Sequence, residues 1–202
     1  MIDTVIFDVG NVLTHFGWQD FIRSFGYDED TCVRIGNATI ESRYWKEYDR
    51  GVMDNDEIVN LFVSLEPELE EEIRQTMKCF TGILDPATYA VPWIEELKER
   101  GLQVLFLSNF SERAYNECRE ALGFLEYVDG GIFSYKVNLI KPDPAIYEKL
   151  AEDYGLVPEN CIFIDDLKDN IAAADALGFN TILFEEYEQA HTELEQALKY
   201  TC

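Results

Sequence analysis

Short, unbroken apolar runs alternate along this chain with longer segments in which apolar residues recur every three or four positions. The first run, Val5-Ile6-Phe7, is too short for a helix, and two of its three residues are β-branched. Such a run predicts a strand that is buried on both faces, as in a parallel sheet. Four similar runs predict further strands, at 104–107, around 132–133, and at 161–164 and 181–184.

Helical patterns separate these strands from residue 87 onward. The helices are predicted to close at Gly101, Gly123, Gly155 and Gly178, because glycine readily adopts the left-handed conformation that often follows a helix. Regular alternation of strands and helices is typical of parallel crossover units. We therefore predict an α/β fold with a doubly wound parallel sheet, a Rossmann-like core.

Between the first strand and residue 84 the pattern is helical only. Apolar residues recur with helical spacing near 18–25 and near 58–65, and no strand pattern interrupts them. A helical segment of this length placed after the first strand indicates an insert. We predict a core made of residues 1–15 and 85–202, with a small helical cap domain at 16–84.

Polar residues follow three of the predicted strands. Asp8 ends the first strand, Ser108-Asn109 ends the second, and Asp165-Asp166 ends the fourth. Lys141 lies just before another predicted helix. Because the carboxyl ends of parallel strands share one edge of a sheet, and ligands bind there, these side chains are expected to converge.

Three carboxylates at one edge would repel each other, and some would be protonated, unless a cation lies among them. Oxygen ligands favour a hard cation, of which Mg²⁺ is the abundant choice. A lysine and a serine hydroxyl added to this set suit a bound phosphoryl group. Each residue alone has an ordinary explanation: Asp165-Asp166 starts a helix, Ser108 caps one, or Lys141 is a surface lysine. Their joint occurrence at successive strand ends favours a site.

The charge balance narrows the partners. The 202 residues include 16 Lys and Arg against 40 Asp and Glu, and the net charge of −24 argues against nucleic acid or an anionic membrane as a partner. The five cysteines are scattered singly, and neither a signal peptide nor a long apolar run is visible. We expect a cytoplasmic protein with reduced thiols that acts on a small molecule. The sequence does not indicate an oligomeric state.

Four short segments carry the candidate chemistry, in the order Phe7-Asp8-Val9-Gly10-Asn11-Val12, Leu107-Ser108-Asn109, Lys141-Pro142 and Ile164-Asp165-Asp166. In order and spacing they resemble the four motifs of the haloacid dehalogenase-like hydrolase superfamily. Many members carry a small helical cap where this chain has its insert. The Asp-x-Gly-Asn-Val start and Tyr48-Asp49-Arg50-Gly51 are similar to the branch that includes α-D-glucose-1-phosphate phosphatase.

The resemblance implies roles for the carboxylates. Asp8 would attack phosphorus to give an aspartyl-phosphate intermediate, which water then hydrolyses. Asp8, the backbone carbonyl of Gly10 and Asp166 would hold Mg²⁺. Asp165 would be an outer partner of the metal or of Lys141.

The resemblance also implies how phosphate is held. Ser108 and the backbone amide of Asn109 would bind phosphoryl oxygens, and Lys141 would pair with both the nucleophile and the phosphate. Phosphoryl transfer depends on such positioning and charge neutralisation more than on covalent chemistry by the protein. The implied activity is a Mg²⁺-dependent phosphatase that acts on a small phosphomonoester.

Gly10 departs from the pattern of the superfamily, because most of its phosphatases and mutases have a second Asp at that position as general acid and base. Its absence argues against a mutase and should slow a phosphatase by about 10²–10⁴-fold on a poor leaving group. A sugar phosphate such as a hexose 1-phosphate suits this limitation, since its anomeric oxygen leaves readily. His15, Glu47 and Asp49 are candidate replacement donors, although a structural role is favoured for His15.

Two other functions remain open from the sequence. An L-2-haloacid dehalogenase would use Asp8 on carbon without a metal, but such enzymes replace the acidic pair at Asp165-Asp166 with small neutral residues. A non-catalytic, phosphate-binding regulatory protein is the second alternative. Receiver domains share strand-end Asp residues and a Lys, but their acidic pair precedes the phosphorylated Asp and they lack a helical insert.

Overall fold

The structure, a computed structural model, describes residues 1–199 and contains a central sheet of five parallel strands. The order of the strands across the sheet is β5-β4-β1-β6-β7, so the first strand lies in the centre. The strands are β1 (Thr4–Phe7), β4 (Gln103–Ser108), β5 (Gly130–Phe133), β6 (Cys161–Asp165) and β7 (Asn180–Leu183). The predicted doubly wound α/β fold is confirmed.

Helices cover both faces of this sheet, because successive strand residues point to opposite sides. Val5 and Phe7 contribute to one core, together with α6 (Ala90–Glu99) and α11 (Tyr187–Lys199). Ile6 belongs to the opposite core, with α9 (Pro144–Tyr154) and α10 (Lys168–Ala176). The remaining helices of the sheet region are α7 (Glu112–Glu117) and α8 (Ser134–Val137).

A helical segment lies between the first two strands of the central sheet. It consists of α1 (Trp18–Arg23), α2 (Glu29–Ala38), α3 (Trp45–Arg50), α4 (Asn55–Leu65) and α5 (Glu70–Thr76). Two short antiparallel strands, β2 (Thr14–Phe16) and β3 (Leu84–Pro86), flank it and pair with each other. The sequence pattern missed both strands, because three residues are too few to show alternation and Pro86 is unusual in a strand.

Two element boundaries also differ from the sequence prediction. The helix predicted from about residue 112 to Gly123 ends at Glu117, and a separate 3₁₀ turn covers Gly123–Glu126. The weak strand at 132–133 begins two residues earlier, at Gly130-Gly131. A pair of glycines has low strand propensity, so pairing with β4 rather than local preference makes these residues a strand.

Within the described residues 1–199, no helix combines the length and the hydropathy that a bilayer crossing would require.

The close approach of β5 to β4 generates the first prediction. Gly131 has a φ of 151°, and a Cβ there would lie 2.3 Å from the carbonyl oxygen of Phe106. We expect Gly131→Ala to lower the free energy of unfolding by about 3 kcal/mol or more, since backbone strain and overpacking each cost roughly 1–3 kcal/mol. Urea denaturation followed by circular dichroism measures this loss.

Gly123→Ala is the matched control, because no heavy atom lies within 4 Å of its Cβ position. Its free energy of unfolding should change by less than about 1 kcal/mol. If Gly131→Ala unfolded at the same urea concentration as the wild type, the register of β5 against β4 would be wrong.

Candidate active site

The structure brings the predicted strand-end residues together at one edge of the sheet. Asp8 follows β1, Ser108 ends β4 and Asp165 ends β6, and these three strands are neighbours. Asp8, Ser108, Lys141 and Asp166 line a cavity of about 430 Å³. This is the edge at which ligands bind in open α/β sheets.

Lys141 is the buried cation of the site. Its Nζ lies 2.9 Å from Oδ1 of Asp8 and 2.6 Å from Oδ2 of Asp165, and its side chain is 1% exposed. Burial opposes the charge of Lys141, but Asp8 and Asp165 outweigh this effect and raise its pKa above the ordinary value. The ammonium therefore stays charged between the two carboxylates.

Asn109 holds the loop that carries this lysine. Its side-chain Nδ2 donates to the backbone oxygen of Lys141 at 2.9 Å, and its Oδ1 accepts from the backbone N–H of Lys141 at 2.8 Å. The side chain of Asn109 thus clamps two loops together across 32 positions of sequence. The sequence motif pointed to its backbone amide, and this role of the side chain was not predicted.

Asp165 is engaged by protein donors. Its Oδ1 accepts from the backbone N–H of Leu167 at 2.8 Å and from Nδ2 of Asn170 at 2.9 Å, and its Oδ2 accepts from Lys141. Asp165 is fully buried. Its contacts therefore suit a carboxylate that orients Lys141, one of the two roles that the sequence left open.

Asp8 and Asp166 lie in a cluster of carboxyl groups whose negative charges repel one another. Burial and the charges of Asp165 and Asp166, partly offset by Lys141, raise the pKa of Asp8 to about 7. Burial also raises the pKa of Asp166, whose Oδ2 accepts from Nδ2 of Asn11 at 3.1 Å. Carboxylate oxygens of Asp8, Asp165 and Asp166 lie within 4.8 Å of one another. This all-oxygen set fits a hard divalent cation, which would relieve their repulsion.

The walls of the cavity differ in chemistry from its floor, which contains the charged residues Asp8, Lys141 and Asp166. They are mainly apolar and aromatic. Most of these residues come from the helical segment and the loops that flank it (Phe16, Ile40, Trp45, Phe80, Ile83 and Leu84), and Phe110 comes from the loop after β4. Four polar residues of the helical segment also line the cavity: Glu41, Ser42, Lys46 and Asp49. Helical periodicity in the sequence indicated buried apolar residues but could not show which of them face the site.

The candidate proton donors occupy different places. His15 is exposed on β2, opposite Asp85, and does not line the cavity. Glu47 forms an ion pair with Arg50 at 3.1 Å and also lies outside the lining. Of the three donors that the sequence suggested, only Asp49 reaches the cavity in the described structure.

The position of Lys141 between two buried carboxylates generates the second prediction. Lys141→Met should lower the free energy of unfolding by about 3–5 kcal/mol near neutral pH, since it leaves Asp8 and Asp165 buried without a counter-charge. In the folded variant the carboxyl of Asp8, whose pKa burial already raises, then favours the protonated form. The loss relative to wild type should therefore grow as pH rises, and urea denaturation at about pH 5.5 and about pH 8 measures it.

Lys149→Met is the control, because the ion pair of Lys149 with Asp153 is exposed. Such a pair contributes less than about 1 kcal/mol, so the control should show a small loss at both pH values. A loss for Lys141→Met that was equal at both pH values would contradict the electrostatic account.

Comparison with known proteins gives the family. The model of the haloacid dehalogenase-like hydrolases matches residues 2–178. The sesquiterpene phosphatase astK of Aspergillus oryzae is 28% identical over 86% of this chain and 85% of its own length. A phosphatase of Mycobacterium tuberculosis is 29% identical over 93% of this chain and 89% of its own length.

Solved structures share the fold. A HAD family enzyme of Bacteroides thetaiotaomicron, in complex with magnesium and inorganic phosphate, superposes with a TM-score of 0.69 and 20% identity, covering 91% of this chain and 94% of its own. The L-2-haloacid dehalogenase of Xanthobacter autotrophicus reaches 0.67 with 19% identity, covering 94% and 80%. The fold alone therefore does not distinguish a phosphatase from a dehalogenase. Since the family match extends over most of the sequence, the chain belongs to the haloacid dehalogenase-like hydrolases.

Proposed function

We propose that this protein is a Mg²⁺-dependent phosphatase that hydrolyses small phosphomonoesters through an aspartyl-phosphate intermediate. One observation carries the proposal: the carboxylate of Asp8 lies 2.9 Å from the buried ammonium of Lys141, in a cluster with the carboxylates of Asp165 and Asp166. A nucleophile, a fixed cation and a cation-binding acidic pair are what phosphoryl transfer requires. The relatives named as phosphatases support the same activity.

Each residue of the site has a proposed role. Asp8 attacks the phosphorus, and Asp8, Asp166 and the backbone carbonyl of Gly10 hold Mg²⁺, which neutralises charge on the phosphoryl oxygens when bound. Asp165 fixes the position of the Lys141 ammonium.

The phosphoryl group is held from the opposite side. Ser108 donates its hydroxyl and Asn109 its backbone N–H to phosphoryl oxygens. Lys141 pairs with the same group while it keeps Asp8 oriented. Preorganised donors of this kind contribute strongly to catalysis because they need no rearrangement during the reaction.

The helical segment is proposed to act as a cap domain, comprising residues 16–84 between the two parts of the core, 1–15 and 85–202. The pairing of β2 with β3 supports this division, because it joins the chain where it leaves the core to the chain where it returns. The cap supplies most of the apolar wall over the charged floor. It therefore selects the organic part of the substrate.

The acidic pair argues against the dehalogenase alternative. Asp165-Asp166 places two carboxylates beside Asp8, and the one buried lysine of the cavity faces Asp8 and Asp165. Without a metal, the charge of Asp166 would oppose any anionic substrate. Metal-dependent phosphoryl chemistry uses that charge, whereas metal-free attack on carbon does not.

The walls of the cavity favour an apolar or aromatic organic group. A hexose would press hydroxyls against Trp45, Phe80 and Ile40, and each buried hydroxyl without a hydrogen bond costs about 1–3 kcal/mol. The name of the sesquiterpene phosphatase of Aspergillus oryzae agrees with an apolar substrate for that relative. The hexose 1-phosphate predicted from the sequence stays a competing prediction.

A cytoplasmic location is part of the proposal. Cys32, Cys79, Cys118 and Cys161 are free thiols, which suits a reducing compartment, and Cys202 lies outside the described residues. The proposed partner is a small phosphate ester alone, with no nucleic acid and no membrane surface, since the net charge of −24 would repel both.

The third prediction tests the activity. The purified protein should release inorganic phosphate from an aryl phosphate with Mg²⁺, lose this activity in excess chelator and regain it when Mg²⁺ is restored. Asp8→Asn should lower turnover by at least roughly a thousandfold, because no other residue supplies the nucleophile. Phosphate release and the melting temperature are measured together.

Asp175→Asn, an exposed Asp on α10, is the matched control and should keep wild-type turnover. Full activity in excess chelator, or release of halide from a 2-haloacid, would overturn the phosphatase proposal in favour of a dehalogenase. Phosphate binding without turnover would favour the non-catalytic alternative.

The fourth prediction concerns the substrate. A prenyl monophosphate should be hydrolysed with a kcat/KM at least roughly tenfold above that for α-D-glucose 1-phosphate, because apolar contacts discriminate on this scale. Trp45→Ala should lower kcat/KM for the prenyl ester selectively. Val52→Ala, at an exposed position outside the cavity, should change neither value. A preference for the sugar phosphate would restore the prediction made from the sequence.

A further inference from the structure

The loop that carries Asp8 has no second acidic residue that could donate a proton to the leaving group. Gly10 lies on the floor of the cavity, and no heavy atom comes within 4 Å of the position that its Cβ would take. The oxygen of a departing alcohol therefore meets no proton donor from this residue. Lys141 forms ion pairs with Asp8 and Asp165, and both carboxylate oxygens of Asp165 accept hydrogen bonds within the protein. The proton donor for the leaving alcohol must therefore come from another part of the cavity wall.

Asp49 is fixed on that other wall. It is the penultimate residue of α3 and lines the same cavity as Asp8. The buried hydroxyl of Ser134 donates to the backbone oxygen of Asp49 at 2.5 Å and accepts from the backbone N–H of Phe110 at 2.8 Å. One hydroxyl therefore joins Asp49 to the loop that follows Ser108-Asn109.

A second contact holds the same end of α3. Nδ2 of Asn138 donates to the backbone oxygens of Arg50 and Gly51, at 3.0 and 3.2 Å. Gly51 has a φ of 71°, and a Cβ there would lie 3.0 Å from Cα of Tyr135, so the chain passes directly against α8. These contacts fix the backbone of Asp49 without engaging its side chain.

The side chain of Asp49 is left free for chemistry. Among residues 1–199 no hydrogen bond or ion pair engages its carboxyl group, whereas Asp8, Asp165 and Asp166 each have a protein partner and Glu41, the other carboxylate of the wall, is exposed. Burial, together with the negative charge of Asp8, raises the pKa of Asp49 to about 8. The group therefore holds a proton near neutral pH, as a general acid requires.

We propose that Asp49 is the general acid and base of this enzyme, in place of the carboxyl group missing at Gly10. This inference rests on the proposed phosphatase function. It assigns a catalytic residue to the helical segment rather than to the core.

The proton balance of the two steps follows. A carboxylate oxygen of Asp8 forms a bond to phosphorus while the bond from phosphorus to the ester oxygen breaks, and that oxygen takes the proton of Asp49. The free alcohol leaves. Asp49, now a carboxylate, takes a proton from the water that attacks phosphorus, and the bond from phosphorus to Asp8 breaks. Inorganic phosphate is released and Asp49 is protonated again.

The test separates the two steps with two substrates. An aryl phosphate has a good leaving group that needs no acid, whereas an alkyl phosphate needs one. In Asp49→Asn with Mg²⁺, the first turnover of the aryl phosphate should stay within about threefold of wild type and give a burst of phenol equal to the enzyme present. The first turnover of the alkyl phosphate should slow by about 10²–10⁴-fold.

Glu47→Gln is the matched control, because this residue lies on the same helix and pairs with Arg50 outside the cavity. It should change neither rate by more than about threefold, a limit well below the effect of losing an acid. Asp49→Asn should keep the wild-type melting temperature, since no side-chain contact of Asp49 is lost. Glu47→Gln loses only a partly exposed ion pair, which contributes less than about 1 kcal/mol.

The outcomes are distinct. If Asp49→Asn slowed the first turnover of both substrates equally, Asp49 would only shape the cavity. If it slowed the first turnover of neither, the acid would lie elsewhere. Each result overturns the inference. If wild-type enzyme releases phosphate from neither ester, the proposed function itself fails, whatever the variants show. After the burst, the steady turnover of the aryl phosphate in Asp49→Asn should be slow, because Asp49 also takes the proton of the water that hydrolyses the phosphoenzyme.

Discussion

The buried ammonium of Lys141 is the interaction on which the rest of the site depends. A lysine that is 1% exposed is stable there only because Asp8 and Asp165 lie within 2.9 Å of its Nζ. The same contacts give two buried carboxyl groups a cationic partner. Asn109 and Asn170 then fix the surrounding loops by hydrogen bonds to Lys141 and Asp165. Removing the lysine would therefore disturb both the charge and the geometry of the edge.

The cavity has two chemically different halves, which come from different parts of the chain. The floor is polar and is built by loops at the ends of parallel strands, whereas the wall is apolar and comes mainly from the helical segment. A rigid charged floor suits a group that all substrates share, and a separate wall can vary with the organic group. This division gives a physical reason for proposing that phosphate chemistry belongs to the core and selection to the cap.

The proposed role of Asp49 would change how these halves cooperate. With Gly10 in the nucleophile loop, the floor can bind and attack a phosphoryl group but offers no proton to the leaving oxygen. A donor on α3 is in place only when the helical segment is docked, as it is here through Ser134 and Asn138. Proton transfer would then depend on the same contacts that close the cavity over the substrate.

The sequence alone determined the fold class, the family and the convergence of the strand-end residues. Apolar runs such as Val5-Ile6-Phe7 specify strands that are buried on both faces, and parallel strands necessarily gather their carboxyl ends at one edge. Local pattern could not predict β2 and β3, because three-residue strands are stabilised by pairing with each other and not by their own composition.

The tertiary structure decided the details that depend on contacts between distant residues. The sequence named His15, Glu47 and Asp49 as candidate donors, with a structural role favoured for His15, and it could not choose between Glu47 and Asp49. In the structure Asp49, near the contact of α3 with α8, lines the cavity, whereas Glu47 pairs with Arg50. Similarly, the clamp of Asn109 on Lys141 spans 32 positions. Residue type fixes what a side chain can do, but its burial and its partners, which arise from packing across the whole chain, decide which of those possibilities is realised.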